Sequence, residues 1–226
     1  MQKVAILALF LVMGAMAHSI DSPQEMASLW SSWKLQYNKE YSSLQEEAVR
    51  FKNFLATYKF IQEWNAGNNT CTLGLNQFSD LTTEEFGALY TGLLPSLEVD
   101  EENVVELENI GAPSSWDWRD HGKVTPVQNQ GSCGSCWAFA TVATLESQYA
   151  IQGHSLTRFS EQELVDCVNT CKGCNGGLPS LAYQWTKTHG IETSSNYPYT
   201  AKTGTCKYDA SKSIKVNSGW SQVPIR

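Results

Sequence analysis

The chain has 226 residues and carries 8 Trp, 9 Tyr and 8 Phe, enough apolar bulk for one large or two small cores, which excludes disorder throughout. Its net charge of −7 is uneven: residues 1–111 hold 6 basic and 15 acidic groups, and residues 112–226 hold 10 basic and 8 acidic. No dense basic patch occurs in either half, so nucleic acid is not an expected partner.

Lys3 precedes an apolar run from Val4 to Ala17 that closes on Ala15-Met16-Ala17. A basic start, a short apolar stretch and small residues at the cut describe a secretory signal over residues 1–17. The run is too short to span a bilayer, which takes about 18 residues or more, and no later segment is long and apolar enough. The mature chain is therefore expected to be soluble and to have met an oxidising compartment. That bears on Cys71, Cys133, Cys136, Cys167, Cys171, Cys174 and Cys206, because an odd count leaves at least one thiol unpaired.

From Glu25 to Ala66 the pattern predicts two amphipathic helices. Trp30, Trp33, Tyr37, Tyr41 and Leu44 form one stripe; Phe51, Phe54 or Leu55, Tyr58, Ile61 and Trp64 form a second. A turn-rich break at 66–70 follows, and Asn68-Asn69-Thr70 fits a glycosylation acceptor at Asn68. Thr72 to Asp80 reads as one strand, and Leu81 to Leu93 as a short helix starting near Thr82 or Thr83. Glu98 to Glu108 holds six acidic and no basic residues, which repel one another and keep the segment extended. The composition changes at Gly111, the expected domain boundary and an accessible place for cleavage. A helix is predicted from Cys136 to about Gln152, with Phe139, Val142, Ala143, Leu145 and Tyr149 facing inward. Ser160 and Glu163 have capping-box spacing and announce another. A third covers Ser180 to Thr188 and stops at Gly190.

Two Cys-x-x-Cys pairs raise the possibility of zinc or of a redox pair. The 34-residue gap between them is about twice that of a zinc site, the secretory signal favours oxidation over thiolate ligation, and no βαβ pattern surrounds either pair. No metal and no cofactor is therefore expected. The stronger reading lies in Gln130-Gly131-Ser132-Cys133-Gly134-Ser135-Cys136-Trp137. It places Cys136 at a helix start, where backbone N–H groups and the helix dipole favour an anion. A thiol there is drawn toward the nucleophilic thiolate. The same N–H groups, with the Gln130 amide, can hold an oxyanion.

This stretch, continued through Ala138-Phe139, closely resembles the active-site segment of the papain and cathepsin family. The resemblance implies an α+β fold in which a helical domain carries the cysteine and a β domain carries a histidine. It makes Cys136 the nucleophile and Gln130 the oxyanion donor. Cys174-Asn175-Gly176-Gly177 is similar to the family's cleft wall, so Trp137, Asn175, Gly176, Gly177, Leu178 and Pro179 are expected at the substrate. The family pattern implies disulfides Cys133–Cys174 and Cys167–Cys206, and leaves Cys71 and Cys171 without partners. Glu46, Arg50, Phe54, Ile61 and Asn65 resemble the helical motif of the family's inhibitory propeptide. Thr57 stands where that motif has asparagine. Gly74, Asn76, Phe78 and Asp80 match the second propeptide motif.

The implied organisation is a signal over 1–17, a helical inhibitory propeptide with its linker over 18–111, and the Cys-bearing part of the peptidase domain over 112–226, with the C-terminal β domain missing. The family's histidine and its orienting amide fall about 130–150 residues after the nucleophile. Only 90 residues follow Cys136, and His18, His121, His154 and His189 sit outside that context. The expectation is a cysteine peptidase precursor that is inactive in this form. The alternative is a propeptide-like inhibitor of papain-like proteases. Expected partners are peptide or protein substrates and the chain's own propeptide, in a monomer without a membrane anchor once the signal is removed. The expected location is the secretory pathway, leading to a lysosome, a vacuole or the exterior. The acidic propeptide is expected to loosen from a basic partner surface as its carboxylates protonate.

Overall fold

The computed structural model describes residues 22–94, 104–105, 111 and 113–223; the expected signal at 1–17 and most of the acidic linker lie outside them. The chain divides into two compact units between Leu81 and Thr82.

The first unit is built on α1 (Pro23–Gln36) and α2 (Leu44–Ala66). Each helix starts where a serine satisfies a bare N–H group: Ser22 accepts from the Glu25 N–H, and Ser43 from the Glu46 N–H. Glu25 returns the bond to Ser22, and Pro23 sits in the first turn, where its missing N–H costs nothing. Trp30, Trp33 and Phe54 form the core, with ring centroids 5.0–5.2 Å apart. Residues 72–80 make no strand. Side chains take the place of a ladder: Asn65 donates to the Leu73 carbonyl (2.8 Å) and accepts its N–H (2.9 Å), while Trp33 Nε1 donates to the Asn76 carbonyl (3.0 Å). Asn76 Oδ1 accepts the Phe78 N–H, so the segment curls into a turn at 77–80. Polar side chains that bond their own neighbourhood outcompete strand pairing.

The second unit contains α3 (Thr83–Tyr90), α4 (Cys136–Ile151), α5 (Glu161–Cys167) and α6 (Pro179–His189), with a 3-10 turn at Gly173–Asn175. α4 packs against α5 and α6. The core comprises Trp137, Ala138, Val142, Leu145, Phe159, Leu164, Val165, Ile191 and Val216. Ala143, expected to face inward, is exposed; the buried stripe of α4 instead runs through Trp137, Ala138, Thr141, Val142, Leu145, Glu146 and Ala150. Disulfides join Cys133 to Cys174 and Cys167 to Cys206. Among the described residues extended pairing is limited to isolated bridges: Leu93 with Gly177 and Val104 with Gln222 run parallel, and Phe159 with Thr193 and Ile191 with Ile214 antiparallel.

Candidate active site

Cys136 is the first residue of α4 and is partly exposed. The preceding Ser135 is fully buried and does not cap the helix with its side chain. Its hydroxyl lies 2.6 Å from the Tyr199 hydroxyl instead. The positive end of the α4 dipole is thus not filled by a serine oxygen, which suits an anion at Cys136.

Gln130 lies in the loop that leads into α4. Its amide nitrogen donates to the Cys133 carbonyl (2.8 Å), which sets the side chain beside the turn that delivers Cys136. The same nitrogen donates to the Tyr90 carbonyl (3.0 Å) at the end of α3. The loop is clamped to the opposite wall by the Cys133–Cys174 disulfide and by the Gly134 N–H, which donates to the Cys174 carbonyl (2.8 Å).

The wall is formed by Asn175, Gly176 and Gly177, followed by Leu178 and Pro179, which open α6. Trp137 lies beneath it, 1% exposed, with its indole N–H donated to the Gly173 carbonyl (3.2 Å). A Cβ on Gly177 would fall 2.5 Å from the Trp137 ring and 2.7 Å from the Cys171 sulfur, so the wall rests directly on these side chains. Burial raises the Cys171 thiol above its ordinary value and keeps it protonated.

Residues 91–94 lie along this wall. The Gly177 N–H donates to the Gly92 carbonyl (2.8 Å), and the Leu94 N–H donates to the Gly177 carbonyl (3.2 Å), in parallel register. A Cβ on Gly92 would stand 2.0 Å from the Gly134 carbonyl oxygen, so only glycine permits this approach. The chain therefore holds a peptide of its own between the Cys136 loop and the glycine wall.

The three described histidines lie elsewhere. His121 stacks on Trp116 in the 113–122 segment. His154 stacks on Tyr149 just past the far end of α4, about 24 Å of helix from Cys136. His189 stacks on Trp185 at the end of α6. All three are exposed. Cys71 and Cys171 are free thiols, exposed and buried respectively. Asn68 is exposed, next to the end of α2.

The propeptide-motif residues gather in the first unit. Phe54 is fully buried and Ile61 nearly so. Glu46 accepts from Ser42 ahead of α2, and Asn65 holds Leu73. Asp80 is 2% exposed and accepts from Lys39 (2.9 Å) and the Tyr41 hydroxyl (3.0 Å), while its backbone carbonyl accepts from Arg50 (3.4 Å). Burial, then the Asp80 carboxylate, raise the Tyr41 phenol well above its ordinary value. Gly74 meets nothing where a side chain would stand, and Phe78 is partly buried.

Two participants escaped the sequence reading. The Tyr90 carbonyl is a backbone group and carries no residue signature. Tyr199 reaches the loop from 69 residues beyond Gln130, with no periodicity to mark it.

A model of papain family cysteine proteases matches residues 112–225, and one of the cathepsin propeptide inhibitor domain matches residues 30–86. Caricain of Carica papaya is 41% identical over 201 residues, covering 88% of this chain and 58% of caricain. A cathepsin L-like proteinase of Fasciola hepatica is 43% identical over 203 residues, covering 86% and 62%. Among solved structures, the digestive procathepsin L2 of Tenebrio molitor larval midgut superposes with a TM-score of 0.78 at 34% identity, covering 86% of this chain and 66% of that one. A recombinant stem bromelain precursor gives 0.74 at 39% identity, covering 80% and 60%. The chain thus spans less than two thirds of the length of these relatives.

Proposed function

The chain belongs to the papain family of cysteine proteases and carries that family's propeptide inhibitor domain, and on that premise we propose that it is a self-inhibited peptidase precursor in which Cys136 attacks peptide carbonyls. The Cys136 sulfur adds to the carbonyl carbon as the carbonyl electron pair moves to oxygen. That oxyanion faces the Gln130 amide and the N-terminal end of α4. Collapse expels the amine and leaves a thioester, which water hydrolyses. The thiol proton passes to a base and then to the leaving nitrogen. His121, His154 and His189 are not that base: His154 stacks on Tyr149 past the far end of α4, His189 on Trp185 at the end of α6, and His121 lies two residues from Lys123, which donates to the Ala150 carbonyl at the far end of α4.

The observation that carries the reading is the Tyr90 carbonyl on the Gln130 amide, continued by the pairing of residues 92–94 with Gly177. A peptide carbonyl occupies the oxyanion donor, and the peptide after it occupies the wall. The boundary of the mature peptidase falls near Gly111, with the signal over 1–17 and the propeptide over 18–111. Substrates are peptides or proteins, bound along Gly176 and Gly177 with a side chain toward Leu178 and Pro179. The molecule acts as a monomer in the secretory route, its destination a lysosome, a vacuole or the exterior.

The test uses the full chain and a peptidyl epoxide that alkylates thiols. Gly92→Val should lift residues 91–94 from the cleft and raise labelling at Cys136, while Cys136→Ala in the same background should abolish it. Equal labelling with and without Gly92→Val would remove the case for self-inhibition. A Gly92→Val chain in which Cys136 labels no faster than exposed Cys71 would remove the nucleophile.

A second reading is inhibition of related proteases in trans, favoured by the compactness of the first unit. The Cys136→Ala chain should then block a papain-like enzyme as well as the unaltered chain does.

A further inference from the structure

Two groups meet at the Tyr199 hydroxyl. It donates to the Gln130 backbone carbonyl (2.7 Å), and since a phenol has one proton, Ser135 Oγ donates to the phenol oxygen at 2.6 Å. The same serine lies 3.4 Å from the Cys133 carbonyl, the acceptor already used by the Gln130 amide. The Tyr199 ring packs edge-on against Phe139 in the first turn of α4, with centroids 5.0 Å apart.

The loop that carries Tyr199 is itself fixed from α5. Gln162, 2% exposed, accepts the Thr200 N–H (2.8 Å) and donates to the Lys202 carbonyl (2.7 Å). Asp166 accepts the Gly204 N–H (2.7 Å) and the Tyr197 hydroxyl (2.8 Å). The Cys167–Cys206 disulfide closes the far end. A rigid path therefore runs from α5 through the 197–206 loop to one hydroxyl, which joins the main chain of Gln130 to the residue before Cys136.

We infer that Tyr199 is a positioning residue for the oxyanion site, its hydroxyl setting the distance between the Gln130 loop and the α4 N-terminus. The inference rests on the reading of Cys136 as nucleophile and Gln130 as oxyanion donor. It separates two properties of the site. Alkylation of the thiol needs no oxyanion donor, whereas addition to a carbonyl does. Tyr199 should matter for the second and little for the first. Burial raises the Tyr199 phenol, so it keeps its proton across the acidic and neutral range.

The experiment compares Tyr199→Phe with its parent, both in the Gly92→Val full chain so that residues 91–94 do not cover the cleft. Two probes are read at each cysteine by peptide mass spectrometry. Iodoacetamide reports the thiol. A small peptide aldehyde reports oxyanion stabilisation: the S–C bond forms, the carbonyl pair moves to oxygen, and that oxygen takes the thiol proton to give a reversible hemithioacetal, read as protection of the cysteine from a short iodoacetamide pulse. Exposed Cys71 is the internal reference for both probes, and buried Cys171 stays unmodified while the chain is folded. Removing a whole oxyanion donor costs about a hundredfold or more; loosening one should cost about tenfold in aldehyde capture at Cys136, with iodoacetamide changing less than about twofold. Ser135→Ala, which keeps the Tyr199 bond to Gln130, should lie between parent and Tyr199→Phe.

Aldehyde capture unchanged by Tyr199→Phe, with a reactive parent, overturns the positioning role and leaves the nucleophile standing. Both probes falling together, or Cys171 becoming labelled, reduces Tyr199 to a structural contact and also overturns it. A parent whose Cys136 captures the aldehyde no better than Cys71 overturns the underlying assignment together with this one.

Discussion

The two compact units bury their acids in opposite ways. In residues 22–81 the buried carboxylate, Asp80, has a cation and a phenol on it, and Lys34 bonds Glu47 at the rim of the aromatic core. In residues 82–223 Arg158 serves both Glu146 and Glu161, but Glu163 is fully buried with only the Glu192 N–H on one oxygen (2.7 Å). Its other oxygen has no hydrogen-bond partner among the described residues.

Opposite pH responses follow. The Ser42 hydroxyl and N–H hold Glu46 below its ordinary 4.5, and Lys34 does the same for Glu47. Groups lowered by folding stabilise it above their unfolded value and lose that contribution as pH falls through the folded one. Burial, against the Glu192 N–H and with the Glu192 charge adding to it, pushes Glu163 up from 4.5 to about 7. A group raised by folding stabilises fully below its unfolded value and loses that contribution as pH rises through the folded one. Acid therefore weakens the Ser42–Glu46 and Lys34–Glu47 contacts of the first unit and strengthens the packing around Glu163 in the second.

Amide exchange resolved by segment can break or sharpen this contrast. The largest effect expected is from Phe54→Ala, which empties the centre of the aromatic core; it should cost about 4 kcal/mol and speed exchange in α1 and α2. Replacing Cys167 and Cys206 by serine should cost about 3 kcal/mol, read in α5 and the 197–206 loop. Asp80→Asn should cost about 2 kcal/mol in the first unit. Unchanged exchange would show that the Lys39 and Tyr41 contacts to Asp80 contribute nothing. The smallest effect at any single pH belongs to Glu163→Gln. In the unaltered chain, exchange in α5, corrected for intrinsic rates, should slow as pH falls from 7 to 4.5, and the glutamine variant should flatten that slope. A slope of opposite sign would reverse the assignment for the second unit.

Sequence was most informative where a local rule decides the structure. Thr82, Ser160 and Gly190 bound their helices because each meets a backbone group within four residues of itself. Ser160 and Glu163 are half a capping box: the serine caps, but Glu163 turns away to the Glu192 N–H, a partner 29 residues off. Residues 72–80 look extended by composition and are curled by Asn65, Trp33 and Asn76. Ala143 fails because α4 is apolar on most sides, so periodicity could not select the buried face. Within the site, Cys136 and Gln130 were legible as a contiguous segment. Tyr199 was not, because the path of a distant loop brings its hydroxyl to Gln130 and Ser135.

The two disulfides interlock in chain order: 133, 167, 174, 206. Any backbone cut from 133 to 174 is bridged by the first, and any cut from 167 to 206 by the second. No single nick between Cys133 and Cys206 can then detach a fragment, and α4, α5, α6 and Cys136 all lie inside that span. The covalent map works as damage tolerance: a chain clipped once in that span would migrate whole until it was reduced.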